Sequence, residues 1–134
     1  AGRYGRSVSA VMLRLVFPQL LPSDDMDKYT RPFRAYSARV INNIRQSDTA
    51  IQTGEFQILV VLSECPYQMV ENVIERLTAI TNALVPTFEE FMHVTVLSVY
   101  ETFEGGNNVP SAQELIDRMT NAMTRKYSAN ALSE

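Results

Sequence analysis

Apolar and polar positions alternate along the chain in patterns that separate strands from helices. Residues 8–17, VSAVMLRLVF, are apolar at nearly every position, as in a central strand covered on both faces, with Arg14 as the interruption. PQLLPSDD then breaks the pattern twice with proline. From about 30 to 44, Phe33, Tyr36, Val40, Ile41 and Ile44 recur at helical spacing, and Pro32 is tolerable only in a first turn. Residues 48–52 and 55–62 predict a hairpin turning at Thr53-Gly54, where glycine supplies the unusual angle of a tight turn. A second helix over about 67–84 carries one stripe of Met69, Val70, Val73, Ile74, Leu77, Ile80 and Leu84.

Residues 93–101, HVTVLSVYE, alternate like a strand with one better-covered face. GGNN at 105–108 reads as a flexible loop, and SAQE at 111–114 is a capping box in which Ser111 caps the last helix and Glu114 reaches back. That helix buries Leu115, Ile116, Met119 and Met123. The order β-α-β-β-α-β-α, with right-handed crossovers, predicts an α+β fold. Its four-stranded, mainly antiparallel sheet has strand one central beside strand three and both larger helices on one face. This is a ferredoxin-like or polymerase-palm architecture.

A length of 134 residues suits one domain spanning 1–134, and Ala1 in place of an initiator Met fits a piece of a longer protein. No apolar run is long enough to cross a bilayer, no leader-like segment opens the chain, and the single Cys65 excludes an internal disulfide, which together suggest a cytosolic setting. A net charge of −3 disfavours nucleic acid. Basic residues do gather at Arg3, Arg6 and Arg14, and along KYTRPFRAYSAR, the latter as a solvated helix face.

Four segments together resemble GGDEF (diguanylate cyclase) domains: RYGRSVSAVMLRLVF, NNIRQSDTAIQTGEFQILVVLSE, VENVIERL and SAQELIDRMTNAMTRKY, in matching order across nearly the whole chain. The resemblance implies a two-metal nucleotidyl transfer, in which carboxylates hold Mg²⁺ ions while a 3′-hydroxyl attacks an α-phosphate. Against that pattern, Arg14 falls at or beside the metal-binding aspartate and Val16 takes the other acidic position. Leu21-Pro22-Ser23 replaces the guanine-reading asparagine region. Of the signature hairpin, Gly54, Glu55 and Phe56 remain, preceded by Gln52-Thr53, and Lys126-Tyr127 stands near the place of a terminal Ala-Lys pair. A guanidinium in the cation's place opposes metal binding, so no metal, no cofactor and no catalytic residue are expected.

The resemblance also implies the product-inhibition site common in active members, an Arg-x-x-Asp motif with an arginine on the following helix, at positions that correspond here to Arg45, Asp48 and Arg76. Guanidinium groups fork onto a guanine acceptor edge or a phosphate, and a carboxylate accepts from guanine N–H groups. The bland alternative is a helix exit in which Asp48 orders the turn, with Arg76 on the helix surface beside Asn72 or Glu75. Other candidates are weaker. His93 sits at a strand start without further ligands, Cys65 has no basic partner near it in sequence, and the methionines read as core filler. Asp24, Asp25 and Asp27 read as a solvated helix start, and GGNN lacks phosphate-loop context.

The resulting expectation is a catalytically inactive, degenerate GGDEF-like regulatory domain of a bacterial signalling protein. It would act through contacts with other domains, a partner protein or a second copy of itself. A cyclic di-GMP receptor using Arg45, Asp48 and Arg76 is the alternative, and a residual GTP-binding or cyclising enzyme relying on Glu55 is the third.

Overall fold

The computed structural model describes residues 7–19, 27–104 and 109–132. Arg3 and Arg6, the Arg-Tyr-Gly-Arg lead, Leu21-Pro22-Ser23, Asp24, Asp25 and the 105–108 loop lie outside them. Strand β1 (Val8–Val16) leads to helix α1 (Asp27–Asn42), hairpin strands β2 (Thr49–Gly54) and β3 (Gln57–Leu62), and helix α2 (Tyr67–Leu84). A 3₁₀ turn (Glu89–His93), β4 (Thr95–Phe103) and α3 (Ala112–Leu132) follow.

The sheet order is β2-β3-β1-β4, and every pairing is antiparallel. Strand β1 is therefore flanked by strands three and four, as the pattern predicts. Because side chains alternate across a strand, β1 supplies two separate cores. Val11, Leu13 and Leu15 join Tyr29, Phe33, Tyr36 and Val40 of α1 and Val70, Leu77 and Leu84 of α2. Ala10 and Met12 join Leu59, Val99 and α3's Leu115, Met119 and Met123 on the other face. Helices α1 and α2 share one face and are tied by a buried hydrogen bond, 3.0 Å from the Tyr36 hydroxyl to the Leu77 carbonyl; burial pushes that phenol well above its ordinary value. Half of the capping box forms: the Ser111 hydroxyl accepts the Glu114 N–H at 3.2 Å, while the Glu114 carboxylate reaches back to that hydroxyl, at 3.4 Å.

Several expectations give way to packing. Helix α1 begins earlier than its stripe predicts, so Pro32 lies inside it rather than in the first turn. Its ring is buried, which offsets the lost backbone bond. Buried positions run 29, 33, 36 and 40, which leaves Ile41 turned outward and 56% exposed. Met69 and Met92 are likewise exposed, whereas Met12, Met119 and Met123 are core. His93 is exposed within the 3₁₀ turn, because buried Phe91 anchors that turn ahead of β4.

The hairpin turns at Glu55-Phe56 instead of Thr53-Gly54, with a bulge between Gln52 and Gly54. The left-handed residue is Phe56, at φ 59°, a conformation that costs a non-glycine residue about 1 kcal/mol or somewhat more. Tertiary contacts hold it there. The Phe56 ring meets Phe17 edge-on at 5.3 Å and Phe33 at 5.7 Å, and its carbonyl accepts the Leu15 amide at 2.8 Å. Gly54, by contrast, is roomy: a Cβ placed there meets only the Gln57 side chain, at 3.8 and 3.9 Å. Gly54→Ala should therefore change unfolding free energy by less than about 1 kcal/mol, whereas Phe56→Ala should cost about 2–3 kcal/mol in urea denaturation. The reverse ranking would contradict this assignment of the turn.

Candidate functional site

The segment between α1 and β2 contains a short turn built on one carboxylate. Asp48 accepts the Arg45 amide at 2.9 Å and the Ser63 amide, at the end of β3, at 2.9 Å. The Arg45 guanidinium lies 3.3 Å from each Asp48 oxygen and also donates to the Ser63 carbonyl. The Asp48 side chain is only 3% exposed, whereas that of Arg45 is 55% exposed. The Asp48 hydrogen bond raises the pKa of the Arg45 guanidinium further above its already high ordinary value. Asp48 thus orders the turn, and its lone pairs are largely committed to N–H groups of the chain itself. Arg45 keeps its face toward solvent.

Arg76, from α2, lies on the same side. It does not pair with Asn72 or Glu75; its guanidinium donates to the Asn43 carbonyl at 3.1 Å, just beyond the end of α1. A cation at helix-terminal carbonyls is favourable in its own right. Arg45, Asp48 and Arg76, separated in sequence, nevertheless line one cavity of about 290 Å³. Its remaining wall is mostly apolar, with Leu62, Pro66, Met69 and Val73. Two guanidinium groups beside an apolar wall can hold an anionic ligand that also carries a flat ring.

Met69, expected in the core from its helical stripe, instead joins Pro66 and Val73 in the wall of this cavity. The available signal was the Cys-Pro pair between β3 and α2, which must carry the chain around this cavity. That corner is strained and braced. Glu64 adopts φ 49°, the Cys65 amide donates to the Ser7 carbonyl at 2.8 Å, and the buried Ser9 hydroxyl donates to the Cys65 carbonyl at 2.7 Å.

The residues tied to nucleotidyl transfer lie elsewhere. Arg14 is exposed between Gln57 of β3 and Leu97 of β4, and Val16 follows it on the same face. Neither offers an oxygen to a cation, so these positions do not fit the Mg²⁺ pair that the fold family implies. Glu55 is exposed in the hairpin turn and borders a second cavity of about 250 Å³ with Asp27, Arg34 and Gln52. Among the described residues, no three His, Cys, Asp or Glu side chains gather as a metal site. No helix among them is long and apolar enough to cross a membrane.

No family model and no curated protein matches the chain. Solved structures do, and they define a class: the α+β fold of GGDEF domains. The GGDEF domain of DgcB from Caulobacter crescentus, in complex with c-di-GMP, superposes with a TM-score of 0.61 at 14% identity, covering 93% of this chain and 74% of that one. The coiled coil and GGDEF domain of the same protein, also with c-di-GMP, gives 0.60 at 15% identity, over 92% and 66% of the two chains. A microbial GGDEF domain interacting with bis-(3′,5′)-cyclic di-GMP gives 0.52 at 16%, over 92% and 73%. The chain therefore has a GGDEF-like fold.

Removing Asp48 leaves two turn amides and a guanidinium short of an acceptor. Asp48→Ala should cost about 2–3 kcal/mol, and Asp48→Asn clearly less, in chemical denaturation; equal losses would mean that the carboxylate is not the organiser. Burial pushes the Cys65 thiol up, so the folded state keeps its proton longer than the unfolded chain. That contribution to stability is complete below the unfolded value of about 8.5 and is lost as pH rises through the folded value. Cys65→Ala should flatten this alkaline decline in thermal midpoint, and an unchanged slope would refute it.

Proposed function

We propose that the chain is a single regulatory module, 1–134, of a longer bacterial cytosolic protein, that it has lost nucleotidyl-transfer chemistry, and that it works by binding. The observation that carries this reading is the convergence of Arg45, Asp48 and Arg76 on one cavity with an apolar wall. Its ligand is cyclic di-GMP. In this reading Arg45 and Arg76 fork onto phosphate or guanine acceptors, the apolar wall takes a base, and Asp48 chiefly fixes the Arg45 fork. Loss of turnover follows from Arg14 and Val16, which cannot replace a pair of carboxylates around Mg²⁺.

Occupancy is relayed through protein contacts. Tyr67 and Met69, 60% and 50% exposed, stand on the first turn of α2 beside the cavity and offer an apolar surface to a neighbouring domain, a partner protein or a second copy.

Isothermal calorimetry with cyclic di-GMP should give saturable heat below roughly tens of micromolar. Arg45→Ala and Arg76→Ala should each weaken binding about tenfold or more. No heat in that range, or unchanged affinity in both variants, would overturn the receptor reading. Incubation with GTP and Mg²⁺ or Mn²⁺ should yield no cyclic di-GMP; product whose formation Glu55→Gln abolishes would restore the enzyme.

A further inference from the structure

The sheet ends in two edge strands of different character. Strand β2 carries its bulge between Gln52 and Gly54, and a bulge twists an edge away from the form a further strand requires. Strand β4 has no such break: its 9 residues run in continuous register along β1. A long regular edge is a template for strand addition. Parity identifies the groups it offers. The Leu15 amide bonds to Phe56 on the β3 side, so Leu15 and Leu13 direct their backbone groups to β3. Their β4 partners, Val96 and Ser98, and Tyr100 opposite Val11, consequently turn N–H and C=O outward.

At the middle of this edge, α3 supplies a substitute for a strand. The Tyr127 hydroxyl accepts the Ser98 N–H at 2.9 Å and donates to the Ser98 carbonyl at 3.1 Å. The Lys126 ammonium donates to that carbonyl at 2.9 Å and lies 5.1 Å from the Tyr127 ring centroid. One hydroxyl thus makes both bonds that a residue of an incoming strand would make. Burial of Leu115, Met119 and Met123 fixes the helix that carries it, and the Tyr127 ring packs against the same cluster.

We propose that Lys126 and Tyr127 lock the β4 edge, and that the strand they exclude is β4 of a second copy. Antiparallel pairing of β4 with itself about Ser98 is isologous, so one patch supplies both partners. A twofold axis normal to the sheet through Ser98 sets Val96 of one copy opposite Tyr100 of the other, so the outward N–H and C=O groups of the two edges are self-complementary in register. The lock is independent of cyclic di-GMP.

The test is the Lys126→Ala/Tyr127→Phe double variant. Exchange of the Ser98 amide should accelerate about tenfold, and sedimentation equilibrium should show self-association at least about tenfold tighter than in the wild type. Adding Ser98→Pro, which removes the edge donor, should restore wild-type behaviour. Tyr127→Phe alone keeps the ring in place and is read in the same way if the double variant fails to fold. Unchanged Ser98 exchange, faster exchange without added association, or association that survives Ser98→Pro would each overturn the proposal.

Discussion

Strand β1 is the constraint on which the structure depends. Ser9 to Leu13 are entirely buried, and β3 and β4 hold the strand from both sides. A strand covered on two faces has no freedom of register, because a slip of one residue would exchange its two side-chain sets. Val11, Leu13 and Leu15 must meet α1 and α2, while Ala10 and Met12 must meet α3. The same parity sends Arg14 and Val16 to the face that carries α3, where both are exposed. On that face this chain presents a cation and an apolar side chain.

From β1 the constraint passes to the corner after β3. Ser7 and Ser9 brace Cys65, and Ser63 holds Asp48 by its amide and Arg45 by its carbonyl. The cavity is thus attached to the central strand through a few hydrogen bonds. Asp48 contributes most by being unavailable: committed to the chain, it aims Arg45 outward. A buried carboxylate with three donors specifies geometry better than one left to solvent.

Much of this was legible in the sequence, for a physical reason. Full burial of β1 gives an apolar run, helical burial gives a stripe, and the order of these segments leaves few topologies. The GGDEF-like resemblance points to the same fold and groups Arg45, Asp48 and Arg76, which line one cavity. Features decided by tertiary contacts were not legible. Local preference places the turn on Gly54, but the aromatic cluster around Phe17, Phe33 and Phe56 imposes it two residues later. Ile41 and Met69 sit next to buried positions, and a rotation of about 100° per residue separates core from surface. The apolar wall of the cavity and the Tyr127 clamp join segments far apart in the chain, and no local pattern announces them.

The proposed binding of cyclic di-GMP falls between β3 and α2 and not at the β2–β3 hairpin. An amide chemical-shift titration with cyclic di-GMP tests it most directly. Saturable shifts should concentrate at 43–48, 62–69 and 73–76. Shifts centred on Thr30, Arg34 and 52–56, or none at all, would contradict the account.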